Sequence, residues 1–219
     1  MKLSDITVNY INHCGSDLSV VDAARVSFNK VSELVNGELS VGDVKLITYL
    51  ARHKHTSPFN HCFLTVRVKA PIFVARQLVK HKFMPWNETS RRYVQDEPEF
   101  YFPDVWRGKA DNVKQGSSNE PVMLPLSKYI DTIKESLANY EEALEFGCCA
   151  EQARMLLPQN TMTDWVWSGT LGAFCDMLNL RLDSHTQFET RVVAEKISDI
   201  VKNCFPISHK ALLESKDSQ

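Results

Sequence analysis

A chain of 219 residues, 43% hydrophobic and 24% charged with a net charge of -2, can bury a sizeable core as one soluble domain. No run of about 18 apolar residues could span a bilayer, and a pI near 6.4 argues against a general nucleic-acid binder, which needs an extended basic surface. The six cysteines, Cys14, Cys62, Cys148, Cys149, Cys175 and Cys204, form no C-x-x-C pair, as expected of reduced and mostly buried thiols. The first ten residues lack the apolar core of an export signal, so the cytoplasm is the expected compartment.

Residues 6 to 11 alternate as a strand would, and Ser19 with Asp22 reads as a capping box opening a helix. A second box, Ser40 with Asp43, predicts a helix that carries Val44, Ile47 and Leu50 on one face and ends in the cations after Ala51. Pro58 is expected to close that element. Residues 61 to 69 alternate Leu64, Val66 and Val68 against Phe63, Thr65 and Arg67, the pattern of a half-buried strand. Pro71 then suits the first turn of a helix whose apolar surface is Ile72, Phe73, Ala75, Leu78 and Val79. On that helix Arg76 and Lys80 share one side, and Gln77 and His81 form a neighbouring polar row.

The stretch from 96 to 125 is rich in Asp, Gly, Ser, Asn and Pro, and within it 104 to 121 reads as a polar, mobile insertion. A long helix is expected from Ser127 to Gly147, with Ile130, Ile133, Leu137, Tyr140 and Leu144 at helical spacing. A short helix holding Arg154 stops before Pro158, and residues 161 to 167 alternate as a strand. Two helices finish the reading, one around Leu171 to Leu182 and one opening at Ser184 with Gln187 as its box partner.

Chemistry concentrates between Arg76 and Tyr93, where Arg76, Lys80, Lys82, Arg91, Arg92 and His81 surround a single acid, Glu88. Such cations bracketing a turn suit a phosphate, and Asn87, Glu88, Thr89 and Ser90 add groups suited to a base or sugar. A structural salt-bridge cluster explains the same residues equally well. His53, His55 and His61, or His81 with His185, are the possible metal ligands, and a metallohydrolase is the reading they would support. Neither grouping brings a matching set of carboxylates or thiolates. No cysteine stands beside a recognisable activating group.

These residues resemble the flavin-dependent thymidylate synthases. The signature of that family is Arg-His-Arg, seven residues, then Ser; here it reads Lys80-His81-Lys82, seven residues, then Ser90. Further blocks stand in family order at 17 to 28, 55 to 61, 68 to 77, 87 to 93, 153 to 158 and 178 to 185, covering nearly the whole chain. The resemblance implies an α/β fold of one domain, with a mixed, largely antiparallel sheet flanked by long helices, assembled as a homotetramer with shared active sites. It implies FAD-dependent reductive methylation of dUMP to dTMP, with methylenetetrahydrofolate as carbon donor and NADPH as reductant, and neither a nucleic acid nor a membrane as partner.

The site residues the resemblance implies are these. Arg181 is catalytic, stabilising negative charge at the N3–O4 edge of the uracil, although a salt bridge to Asp183 or Glu189 is its structural alternative. The nucleotide falls on Gln77, Leu78, Val79 and Lys80, on Glu88, Thr89, Ser90, Arg91 and Arg92, and on Arg154 and Arg181. The flavin falls on Ser27, His55, Ser57, Lys80, His81, Lys82, Glu88, Thr170 and Asp176. No Gly-x-Gly-x-x-Gly follows a strand, so a Rossmann site is not expected. The chain departs from the family pattern at three places. Both signature arginines are lysine, which keeps charge and loses the planar fork; Thr170-Leu171-Gly172 replaces Asn-x-Arg; and Asn60 stands for a frequent Glu. Altered flavin binding, a variant pyrimidine substrate, hydroxymethylation, or a binding protein without catalysis are the outcomes these departures allow.

Overall fold

The computed structural model describes residues 1–94, 96–111 and 116–214. In chain order its elements are β1 (Lys2–Leu3), β2 (Thr7–Cys14), α1 (Asp17–Arg25), α2 (Val41–Arg52), β3 (Phe63–Pro71), α3 (Ile72–Leu78), β4 (Trp86–Glu88), β5 (Glu99–Phe100), β6 (Arg107–Lys109), β7 (Ser117–Pro121), α4 (Leu126–Glu145), α5 (Ala150–Ala153), β8 (Met162–Thr170), α6 (Leu171–Arg181), α7 (Phe188–Cys204) and α8 (Pro206–Glu214). A 3-10 turn at Val26–Phe28 follows α1, another at Ser57–His61 precedes β3, and a third at Arg154–Leu156 follows α5.

The central sheet is antiparallel throughout, in the order β2-β3-β8-β4. Its two central strands, β3 and β8, bury alternate residues along most of their length, because side chains on a strand alternate between faces. Leu64, Val66, Val68 and Ala70 of β3 and Trp165 and Trp167 of β8 are at most 1% exposed, and the register sets Val66 against Trp167 and Val68 against Trp165. The opposite face stays open, carrying Thr65 bonded to Ser168 and Arg67 bonded to Asp164. The helices supply Val20, Ile47, Leu78, Phe174, Leu178, Val193 and Ile197 to the same core. A second, smaller cluster gathers Phe100, Ile133, Leu137, Tyr140 and Ala153.

The strand expected at 61 to 69 forms two residues later, at Phe63–Pro71, because His61 closes the 3-10 turn before it; the Ser40 helix matches expectation, with Ser40 Oγ accepting from the Asp43 N–H at 3.2 Å and Ile47 and Leu50 buried. Several elements differ. The first helix opens at Ser16, whose N–H donates to Ser19 Oγ at 3.1 Å, so Ser19 is a partner in the box rather than its first residue. Pro58 starts a 3-10 turn instead of ending a helix. In α3 the core side chains include Val74, whereas Val79 is 44% exposed, and the helix ends at Leu78. Lys80 and His81 therefore lie in a turn beyond it, closed by Phe83 at φ 61°, and the two rows expected on one helix are not formed.

The insertion at 104 to 121 contains a β6–β7 hairpin where a structureless loop was expected. It is fixed by an Arg107–Glu189 ion pair to α7 and by the Val122 N–H on the Trp106 carbonyl at 2.7 Å. Residues 112 to 115 of that insertion lie outside the described residues. The long helix begins one residue early at Leu126, with Ile133, Leu137 and Tyr140 buried and Leu144 exposed. Ser184 does not open α7, because residues 183 to 186 are spent in a turn with the Thr186 N–H on the Asp183 carbonyl, and Gln187 is the cap. The last helix, α8, was not foreseen. Its N-terminus is capped by Asp17 of α1, whose carboxylate accepts from the Ile207 and Ser208 N–H groups at 2.9 Å each.

Candidate functional site

The short α3 brings Gln77 beside the C-terminal end of α6, and there Arg181 is clamped. Its Nε donates to His81 Nε2 at 3.0 Å and its Nη2 to the Gln77 carbonyl at 3.2 Å. The Gln77 side chain is itself held, Oε1 accepting from Thr190 at 3.1 Å and Nε2 donating to Gln187. Glu189, one of the two salt-bridge partners weighed for Arg181, pairs with Arg107 instead. Burial first, and then the Arg181 charge, pull the His81 imidazole down to about 4 from an ordinary 6.5, so this histidine is neutral at physiological pH. Burial also lowers the proton affinity of Arg181. Leu78 is fully buried and can offer a ligand only its main chain, while Val79, Lys80 and Lys82 face solvent.

The second half of the basic stretch lies elsewhere. Residues 86 to 88 form β4, added antiparallel to β8, with Trp86 stacked on Trp165 at 4.4 Å. A strand stands where the sequence predicts part of a turn, because three residues carry too little periodicity to mark one. At its end Glu88 accepts from Thr163 Oγ1 at 2.7 Å and from Trp86 Nε1 at 3.1 Å. The Thr89 N–H bonds to the Asp164 carbonyl at 2.8 Å. Glu88, Thr89, Arg91 and Arg154 all line one cleft of about 430 Å³. Within it Arg67 is tied to Asp164 and Lys69 to Glu99. Neither Arg154 nor Arg91 has a carboxylate partner among the described residues, Arg154 Nε donating to the Glu151 carbonyl at 3.2 Å and Arg91 Nη1 to the Asp96 carbonyl, which leaves these two as the cations of the cleft placed to take an anion. Ser90 Oγ accepts from the N–H and Nε of Arg92, whose guanidinium lies 5.0 Å from the Tyr93 ring centre; neither Ser90 nor Arg92 lines the cleft.

A third group, Ser27, His55 and Ser57, lines a cavity of about 750 Å³ between α1 and α2, walled by Phe28, Leu46, Tyr49 and Pro58. Apolar walls with a few hydroxyl and imidazole groups suit a flat ring system. Thr170, the cap of α6, joins this region through Asn60, to which it donates at 2.7 Å. A side chain at Gly172 would place its Cβ 2.6 Å from Asn60 Oδ1. The two departures from the family pattern at 60 and 172 are therefore one feature, since the space an arginine stem needs is occupied by the Asn60 amide. Asp176 lies exposed one helical turn beyond Gly172.

The structure thus joins the expected residues into three places and not into one pocket. Arg67, Lys69, Thr163 and Asp164 were missed. Their signal was the polar half of the alternation in β3 and β8, which a solvent-facing strand shows equally. Among the described residues no three His, Cys, Asp or Glu side chains gather as a metal set, and no helix is long and apolar enough to cross a membrane.

Comparison with known proteins decides among these readings. The family described as Thymidylate synthase complementing protein matches residues 9–207. The flavin-dependent thymidylate synthase of Thermotoga neapolitana is 39% identical over 207 residues, spanning 94% of this chain and 90% of that protein. The chain belongs to the flavin-dependent thymidylate synthase family. The family member from Thermosipho africanus is 37% identical over 93% of this chain and 89% of its own. Among solved structures, the UMP/dUMP methylase PolB of Streptomyces cacaoi bound with 5-Br dUMP superposes with a TM-score of 0.84 at 32% identity, covering 96% of each chain. The same methylase bound with 5-Br UMP also reaches 0.84, at 30% identity. The antiparallel sheet with its helices is therefore the fold of this family.

Proposed function

We propose that this chain is a flavin-dependent methyltransferase that converts dUMP to dTMP, with FAD as the flavin, methylenetetrahydrofolate as carbon donor and NADPH as reductant. The observation that carries this reading is the clamped Arg181, a partly desolvated guanidinium fixed beside the basic stretch in a chain that belongs to the family over almost its full length. A rigid cation out of bulk water favours negative charge developing along the N3–O4 edge as C5 becomes nucleophilic. Arg154, Lys80 and Arg92 neutralise the phosphate, and Glu88, Thr89 and Ser90 bind polar edges of the nucleotide, with Gln77 to Val79 and Arg91 beside them.

The cavity at Ser27, His55 and Ser57 fits the flavin by its size and apolar walls, with Lys80, His81, Lys82, Glu88, Thr170 and Asp176 as the remaining contacts. When bound, the reduced flavin supplies the hydride. That these groups line separate cavities on one chain supports active sites assembled from several subunits, a homotetramer in which a single domain spans the chain. UMP is a second substrate to weigh, because the similar methylase PolB was crystallised with both 5-Br dUMP and 5-Br UMP.

The test is release of tritium from C5-labelled dUMP and from C5-labelled UMP, with folate, FAD and NADPH present, alongside the visible spectrum of the purified protein. Tritium release with a methylated product and a flavin spectrum are expected. A colourless protein that never takes up flavin would sink this reading.

A further inference from the structure

A guanidinium has two hydrogen-bonding edges: a side edge of Nε and Nη2, and an end edge of Nη1 and Nη2. Arg181 spends its side edge on the protein, Nε on His81 and Nη2 on the Gln77 carbonyl. Among the described residues Nη1 has no partner, so the end edge remains for a ligand. Arginine cannot accept a hydrogen bond, which means that His81 must accept through an unprotonated Nε2 and carry its proton on Nδ1.

The clamp is built to hold this arrangement. The His81 N–H donates to the Leu78 carbonyl at 3.1 Å, fixing the turn beyond α3, and the imidazole lies 6.3 Å from the Trp167 ring. The other jaw is the main-chain carbonyl of Gln77, whose side-chain Oε1 in turn accepts from Thr190 Oγ1 at 3.1 Å. The charged groups around His81 are Arg181 in contact and the exposed Lys80 and Lys82 beside it in the turn. No carboxylate among the described residues bonds to it, so nothing there favours an imidazolium.

We propose that His81 is the positioning residue for Arg181, accepting its Nε–H so that the free end edge of the guanidinium is aimed at the base of the pyrimidine nucleotide. This rests on the role given to Arg181 above. This role is exerted through another side chain and is additional to the flavin contact given to His81 above. Misplacing a group by about 1 Å can cost a hundredfold in rate, and loss of one jaw leaves the guanidinium held by a single bond.

The test compares wild type, His81→Ala and His81→Gln for kcat, for KM toward the nucleotide and for flavin bound per chain. Glutamine can place its Oε1 where Nε2 stood. We expect His81→Ala to lower kcat per bound flavin by about 10- to 100-fold, His81→Gln to recover most of that loss, and His81→Ala to have no further effect on kcat per bound flavin once Arg181→Ala is present. Loss of flavin with kcat per bound flavin unchanged, a glutamine variant as poor as alanine, or additive effects of the two alanine variants would each overturn the proposal. Should His81→Ala fail to fold, nitrogen NMR of the wild-type imidazole decides: the Nδ1–H tautomer is expected, and an Nε2–H tautomer or an imidazolium at pH 7 refutes it. Wild type inactive on both dUMP and UMP would instead sink the functional reading itself, a result visible before any substitution is made.

Discussion

Removing the Asp43 carboxylate should destabilise the protein and loosen the cavity at Ser27, His55 and Ser57 together. Asp43 is 3% exposed and accepts from Arg25 Nε at 3.0 Å and Nη2 at 2.5 Å, from Ser32 Oγ at 3.0 Å and from Ser40 Oγ at 2.7 Å. Burial raises its proton affinity, but the bonds from Ser40, Arg25 and Ser32 outweigh it and leave the pKa below the ordinary 3.8. Arg25 ends α1 and Asp43 begins α2, so the pair ties the two helices that wall the cavity. Breaking a buried pair by deleting one partner costs about 3–5 kcal/mol. The Arg25 side chain is 26% exposed and regains some hydration, which places Asp43→Ala at about 2–4 kcal/mol. Arg25→Ala, which strands the more deeply buried partner, belongs at the upper end of that range. Urea unfolding of both single variants and the double variant measures this, with a coupling of at least about 1 kcal/mol expected. Flavin uptake by Asp43→Ala should weaken under conditions where the variant is still folded. A cost below about 1 kcal/mol, or strict additivity, would refute the argument.

Other outcomes follow from single contacts. Because His81 takes up its proton near pH 4 in the folded protein and near 6.5 when unfolded, the unfolded state binds the extra proton between those values. Stability is therefore complete above pH 6.5 and falls as the pH drops toward 4, by about 2 kcal/mol once partial solvent screening is allowed for; His81→Gln should remove that slope from pH-dependent urea titrations. Glu99 is bonded by Lys2 and by Lys69, which outweigh its burial and hold its pKa down at about 2. Its contribution is present above pH 4.5 and lost as the pH falls toward 2, so Glu99→Gln should flatten the acid unfolding curve there; an unchanged acid midpoint would argue against the Lys2 and Lys69 clamp. Gly172→Ala should be nearly neutral in a thermal melt, because a gain of about 1 kcal/mol in helix propensity offsets displacement of the Asn60 amide and loss of its bond from Thr170. In an Asn60→Ala background the same change should stabilise by about 0.5–1 kcal/mol, and an equal effect in both backgrounds would show that Asn60 does not fill the space.

The elements legible in the sequence are those whose signal lies among neighbours in the chain. The alternation of β3 and β8, the Ser40 cap of α2 and the stripe of α4 are local patterns, set by backbone geometry repeating every two or 3.6 residues. The basic stretch and the spaced blocks are likewise local, and they mark the family from the sequence alone. What the chain order could not show is which of those residues meet. Arg181 finds His81 from 100 positions away and Asp17 caps α8 across 190. Asn60 reaches the start of α6 from a turn 110 positions earlier. Even the basic stretch divides: its first half joins the Arg181 clamp, while its second half becomes an edge strand facing Arg154 across another cleft. Local periodicity fixes an element because adjacent residues share one backbone path, whereas a hydrogen bond closing a loop of a hundred residues depends on how every element between them packs.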